Sequence, residues 1–197
     1  MFYLDEFTFY RQPTQAAAYA LAGSKTPLAQ RSYRSNTTAR VIAALNAHTG
    51  QVTYLQRSRT TLPVVRQLYY DLRAAYPTHE QLFVAQDNWP VHVHPDVTVI
   101  LEKQTFPWPA QPPPNWATQP RANVAPDTLP IQLVFLPTYA PWTNPIEKLW
   151  RWLNQDVLHL HRLSDQWDAL KARVCTFLDG FAKPAPALLR YVGLLPD

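Results

Sequence analysis

Three acidic side chains, Asp5, Asp87 and Glu147, stand where apolar runs end or a helical pattern begins. Carboxylates are the ligands that suit Mg2+ and Mn2+, and three of them converging from different elements suffice to hold two such ions. Two divalent ions about 3.5–4 Å apart activate an attacking oxygen and stabilise a leaving oxygen at a phosphodiester. On this reading Asp5 bridges both ions, while Asp87 and Glu147 each secure one. The attacker is water for cleavage of a nucleic acid strand, or a 3′-hydroxyl for joining. Glu6 competes with Asp5 for the first position, although adjacent side chains of a strand point to opposite faces. Each acid also has a purely structural use. Asp5 can pair with an arginine, and Asp87-Asn88 suits a turn or a helix cap. Glu147 is a capping-box acid if Asn144 caps a helix whose first residue is Pro145, and its spacing to Arg151 is that of a surface i,i+4 pair.

Polar residues cluster near these acids in the sequence. His92 follows in Asp87-Asn88-Trp89-Pro90-Val91-His92 and suits a contact to the reacting phosphate or a place around an ion. Asn88, Asn144 and Arg151 are further candidates for such contacts. The remaining histidines show no ligand spacing. The net charge is +4, and residues 1–60 carry most of it, with seven Lys/Arg against two acids. Lys25, Arg31, Arg34, Arg40, Arg57 and Arg59, interleaved with Tyr33, form either a phosphate-contacting surface or an ordinary solvated face.

The elements that must position these groups follow from composition and periodicity. With 197 residues, 47% hydrophobic and 16% charged, the chain has enough apolar material for one well-buried domain. A single cysteine, Cys175, excludes an internal disulfide framework and a cysteine-based zinc site, and suits a reducing compartment. No apolar run approaches the roughly 18 residues of a membrane span, and no secretory signal precedes Asp5 and Glu6. The location expected is cytoplasmic, at the nucleoid in a bacterium.

Phe2 to Tyr10, rich in aromatic residues, reads as a strand containing Asp5. Ala39–Ala47 and Gln51–Gln56 read as an antiparallel pair joined by a turn at His48-Thr49-Gly50. A helix with Thr60 or Thr61 as cap and Pro63 in its first turn buries Leu62, Val65, Leu68, Tyr69, Leu72 and Tyr76. Gln81–Ala85 is a strand leading to Asp87, and Val97–Leu101 a short strand or helix edge. Residues 105–130 hold eight prolines with Trp108 and Trp116, an irregular insertion. Ile131–Leu136 is a strand, followed by helices over 145–158 and, capped by Ser164, over 164–178. A short helix is expected within Lys183–Leu195. Three antiparallel strands followed by alternating helices and strands predict an α/β fold, a mixed sheet flanked by helices. This is the element order of the ribonuclease H-like fold, in which the first strand and the strand after the first helix are neighbours, bringing Asp5 beside Asp87.

The string Leu136-Pro137-Thr138-Tyr139-Ala140-Pro141-Trp142-Thr143-Asn144-Pro145-Ile146-Glu147-Lys148-Leu149-Trp150 resembles the third catalytic motif of the DDE transposases of the mariner and insertion-sequence-630 kind. Asp87-Asn88 with His92 resembles the second motif, and Leu4-Asp5-Glu6 the first. The resemblance implies a polynucleotidyl transferase using two Mg2+ or Mn2+ ions, with Asp5, Asp87 and Glu147 as the triad. It would cut the ends of a double-stranded DNA element and join them to a target, commonly as a homodimer. Two departures stand out. The first motif begins at Met1, so the family's N-terminal helix-turn-helix region is expected to be absent or supplied by a separate upstream frame, leaving residues 1–197 as one catalytic domain. The stretch from Asp87 to Glu147 exceeds the family's usual spacing, and the excess matches the proline-rich insertion. The competing expectations are a domesticated, non-catalytic DNA-binding or interaction protein derived from such a domain, and a nuclease acting on RNA–DNA hybrids.

Overall fold

The structure is a computed structural model and describes residues 1–17, 21–23, 28–105, 113–138 and 140–196. Five strands form one sheet: β1 (Phe2–Tyr10), β2 (Thr38–Asn46), β3 (Val52–Arg57), β4 (Leu82–Gln86) and β5 (Ile131–Phe135), in the order β3-β2-β1-β4-β5. The first three pair antiparallel, and β4 and β5 join parallel to β1. The predicted mixed sheet of ribonuclease H-like topology is therefore present. The register Phe2↔Val84 and Tyr3↔Ala85 carries β4 out beside Leu4 and Asp5, so the residue that follows β4 emerges next to the first acid.

Five helices cover the sheet: α1 (Leu62–Ala75), α2 (Pro95–Thr98), α3 (Ile146–Leu153), α4 (Trp167–Asp179) and α5 (Pro186–Val192). The period-2 alternation of the strands divides the core between two faces. Phe2, Leu4 and Ile42 pack with Val65, Leu68, Tyr69 and Leu72 of α1 and with α2. Phe9, Val41 and Ala43 pack with Ile146, Leu149, Trp150 and Leu153 of α3, and with α4 and α5. On β1 neighbouring residues belong to opposite faces. At the far end Gly50 closes the β2–β3 turn at a φ of +74°, where a Cβ would collide with the Ala185 carbonyl at the start of α5.

Several local details depart from expectation. Thr61 sits at the start of α1 without a side-chain cap. Val97–Leu101, by contrast, takes the helix-edge form of its two expected ones: Val97 and Thr98 end α2, and Leu101 makes a single bridge to Leu129. The helix expected over 145–158 ends at Leu153, and Asn154–Leu158 continue it as a π turn closed by the His159 N–H on the Asn154 carbonyl at 2.7 Å. Ser164 does not cap α4, which begins at Trp167; its hydroxyl donates to the Gln30 carbonyl at 2.6 Å. That bond helps fasten the irregular segment after β1, as does Arg11, whose Nη1 donates to the Ser164 carbonyl. Of the proline-rich insertion, Pro107, Trp108, Pro109 and Pro112 lie outside the described residues. Its described part folds onto α2: Trp116 packs on His94, and the Arg121 N–H donates to buried Asp96 at 2.8 Å.

Candidate active site

β1 presents Asp5 to the α3 side, where the Trp150 indole N–H donates to its Oδ2 at 2.8 Å. Trp150 belongs to the apolar stripe of α3, and its ring stacks on Phe7 at 5.3 Å between centroids. The arginine partner considered for Asp5 is thus replaced by an indole. Glu147 lies one turn earlier, in the first turn of α3. Asn144 is buried and spends its Nδ2 on the Leu4 carbonyl at 3.1 Å, which ties the entry of α3 to β1. It does not cap the helix, and the capping-box geometry considered for Glu147 is not formed. Among the described residues Glu147 and Arg151 form no ion pair.

Asp87 follows β4, and its Oδ1 accepts the Trp89 N–H at 3.0 Å, so it makes the tight turn its type favours. Asn88 donates to the Leu136 carbonyl at 2.9 Å and to the Thr138 hydroxyl at 3.1 Å, holding the loop after β5 against the loop after β4. Asp5, Asp87, Asn88, Asn144 and Glu147 all line one cavity of about 370 Å3. Tyr139 lies outside the described residues.

His92 lies elsewhere. It is fully buried behind Asp87 on the α1 side of the sheet, with Nε2 3.4 Å from Asp87 Oδ1 and 3.6 Å from Glu6 Oε1. Burial keeps it from the phosphate contact expected of it. Arg151 is exposed and lines an adjoining groove of about 900 Å3 with Trp142, Lys148 and Gln155. Arg31, Arg34, Arg40, Arg57 and Arg59 are all exposed, and Arg40 pairs across the strands with Arg57 at the end of the sheet toward which β1 runs. Lys25 lies outside the described residues.

The electrostatics reflect four acids gathered with few positive neighbours. Burial, with Glu147 and Glu6 adding repulsion, pushes the Asp5 carboxyl up to about 8. Burial and the Asp87 charge raise Glu6 against the opposing pull of His92 and Arg40. Loss of water and the charge of Asp87 also raise Glu147. Burial works against Asp87 too, but the His92 imidazole and the Trp89 N–H outweigh it and hold its carboxyl below the ordinary range. Among the described residues no lysine or arginine forms an ion pair with Asp5, Glu6, Asp87 or Glu147. An all-oxygen cluster that repels itself, with Asn88 Oδ1 and Asn144 Oδ1 buried without partners, has the donor chemistry of a hard divalent cation site.

The family model of the DDE superfamily endonucleases matches residues 1–171. The chain belongs to that family. Within the DDE endonucleases it is 23% identical over 175 residues to the insertion element IS630 uncharacterized 39 kDa protein of Shigella sonnei, covering 87% of this chain and 42% of that one. Its fold is similar to the Mos1 mariner paired-end complex with Mn (TM-score 0.60, 18% identity, 99% of this chain and 52% of that one). It is likewise similar to a pre-cleavage Mos1 transpososome (TM-score 0.59, 14% identity, 98% and 51%). This DDE chain thus spans under half of the curated relative and about half of the solved ones. Sequence reasoning missed two features of the site. One is Trp150: a buried indole N–H usually needs an acceptor, and here it finds Asp5. The other is Glu6, a rival to Asp5 on sequence grounds, which β1 instead turns to face His92 at 3.6 Å.

Proposed function

We propose that this DDE endonuclease chain is a transposase catalytic domain that cleaves and transfers DNA strands, with Asp5, Asp87 and Glu147 as its triad. The observation that carries the reading is the shared cavity: three acids from β1, the end of β4 and the start of α3 line it together. Asp5, Asp87 and Glu147 would hold two Mg2+ or Mn2+ ions, which supply activation of the attacking oxygen and stabilisation of the leaving one when bound. The protein's own part is positioning. Trp150 fixes Asp5 through Oδ2. Asn144 holds the first turn of α3 in register with β1, so that Glu147 opposes Asp5. Asn88 links the loops that carry Asp87 and the approach to Glu147. Asp5, held near 8, must shed its proton to serve as a ligand.

Double-stranded DNA, as element ends and as target, is the partner in this reading. The exposed arginines and the groove beside Glu147 supply the surface for its phosphates. Recognition of element ends by a separate helix-turn-helix polypeptide, and pairing as a homodimer, belong to the same proposal. The test incubates the protein with DNA and Mn2+ or Mg2+ beside Glu147→Gln. Cleavage by the parent protein and none by the variant is expected. Equal cleavage by both overturns the triad, and none by either together with salt-dependent DNA binding overturns the reading in favour of a non-catalytic DNA-binding protein.

A further inference from the structure

The same strand that turns Asp5 toward α3 turns Glu6 toward α1, and there it meets a second cluster. Glu6, Asp87 and His92 offer one ligand atom each, all within 4.8 Å of one another. Asp87, just past the sheet edge, reaches both faces. The cluster is more than a gathering of acids, because His92 is fully buried and neither of its ring nitrogens has a hydrogen-bond partner. Its Nε2 is aimed between the two carboxylates, and Glu6 Oε1 is itself buried and unpartnered. Leaving a buried polar atom unpaired costs its full desolvation penalty.

The distances discriminate between an ion pair and a ligand set. A charge-assisted hydrogen bond from imidazolium to carboxylate is about 2.7–2.9 Å long, and the contacts here are 3.4 and 3.6 Å. Around a tetrahedral ion with bonds of about 2.0–2.2 Å, neighbouring ligand atoms stand roughly 3.3–3.6 Å apart. The two separations from His92 Nε2 match those edges, and the third lies within 4.8 Å. The Trp89 ring stands edge-on to His92 at 5.5 Å, and the Trp89 N–H holds the Asp87 carboxylate, so the trio is oriented from outside. The Asp87 side chain is 57% exposed, which leaves a fourth position open to water.

We propose that Glu6, Asp87 and His92 form a second cation site, selective for a transition metal such as Zn2+ or Mn2+ over Mg2+. A nitrogen ligand shifts preference away from Mg2+, which favours oxygen and octahedral geometry. The site lies across β1 from the cavity of Asp5 and Glu147 and shares Asp87 with it. An ion bound there fixes Asp87 between the two faces, and its occupancy depends on neither Asp5 nor Glu147.

The experiment uses chelator-stripped full chain carrying Asp5→Asn and Glu147→Gln, titrated with Co2+ and followed by visible absorption. One Co2+ is expected to bind with the intense bands of a tetrahedral ion, to be displaced by equimolar Zn2+, and to resist millimolar Mg2+. Adding Glu6→Gln weakens Co2+ at least about tenfold, as loss of a ligand should exceed loss of a supporting contact. Adding His92→Ala removes the tetrahedral bands. Absence of Co2+ binding in the Asp5→Asn/Glu147→Gln protein, a weak octahedral spectrum, or unchanged affinity after Glu6→Gln overturns the site. If His92→Ala does not fold, as its melting curve will tell, the isosteric Glu6→Gln decides alone. Failure of the triad reading shows separately, as Mg2+-dependent DNA cleavage unchanged by Glu147→Gln.

Discussion

Two polar regions flank the same parallel strands, and they are finished in opposite ways. Along the edge of β5, Gln132 accepts from the Thr105 N–H and hydroxyl and donates to Glu102 and the Lys103 carbonyl. Gln104 accepts the Leu133 N–H and donates to the Glu102 and Ile131 carbonyls, so a side chain stands in for a sixth strand and seals the edge. At the ends of β1 and β4 the bookkeeping does not close. Six of the eight buried side-chain polar atoms without a partner, among the described residues, belong to Glu6, Gln86, Asn88, His92 and Asn144. A native fold keeps few such atoms, and chance does not collect them beside four acids. The seam is completed by the chain itself. The acid end is left open, and on the proposed function its partners are of another kind, a cation and a phosphate.

The comparison breaks most visibly at Glu147. Glu147→Gln keeps the shape of the side chain and removes a ligand charge, so DNA cleavage in Mn2+ should fall by more than about a hundredfold, the scale on which losing one charge-stabilising group tells. Melting of the metal-free variant should equal or exceed that of the parent, since a repelling charge is gone. A variant that cleaves at the parental rate would show that the acid end works without Glu147.

The next effect is on pH and metal. The Asp5 carboxyl is raised from 3.8 to about 8 by burial and by its acidic neighbours. A raised carboxyl contributes stability that is complete below its unfolded value and lost as pH climbs through the folded one. The metal-free protein should therefore lose stability between about pH 4 and 8 through this group. Mn2+ reverses the trend, because the deprotonated Asp5 is the ligand. At a hundredfold excess over Kd the gain is about 2.7 kcal/mol, a rise in Tm of roughly 5–10 °C for a chain of this size. The rise should grow toward alkaline pH and shrink in Asp5→Asn. An equal Tm with and without Mn2+ at pH near 9 would mean that the acids do not bind it.

Much of this was legible in the sequence because Asp87 follows an apolar run, Glu147 opens a helical pattern and Asp5 lies inside an aromatic-rich one. β1, β4 and β5 announce themselves as apolar runs, and the parallel β1–β4 neighbour relation follows from the element order. What was not legible is long-range pairing. Nothing local says that Asn144 would leave its capping role for a carbonyl 140 residues away, or that Ser164 would serve Gln30 rather than α4. His92 suffered likewise: its five-residue distance from Asp87 predicts proximity, but not that the intervening 3-10 turn (Pro90–Val93) rotates it inward to Glu6. Propensity places a residue on an element, and tertiary contacts then choose among its hydrogen-bond partners.

The seam offers the complementary break. Gln132→Ala leaves the Thr105 N–H and the Lys103 carbonyl to find new partners and opens a small gap at a residue only 2% exposed. Its cost should be about 1–3 kcal/mol, a fall in Tm of roughly 3–10 °C. The Mn2+-induced rise should stay at its parental size, because no acid is touched. Loss of that rise would tie the seam to the site and erase the contrast between the two regions.

The smallest effect tests how the acid end meets DNA. Arg40 and Arg57 lie opposite each other on β2 and β3 and are exposed, and Arg40 already acts on Glu6 through its charge. Neither is committed to an ion pair among the described residues. If they neutralise backbone phosphates, each releases about one counterion on binding, so Arg57→Ala should flatten the plot of log affinity against log salt by about 0.9. The affinity loss at moderate salt should be only a few-fold and uniform across DNA sequences, since phosphate contacts carry no base information. An unchanged slope would leave the arginines as a solvated face, and the phosphate partner would then have to be gripped by the groove of Trp142, Lys148 and Arg151 instead.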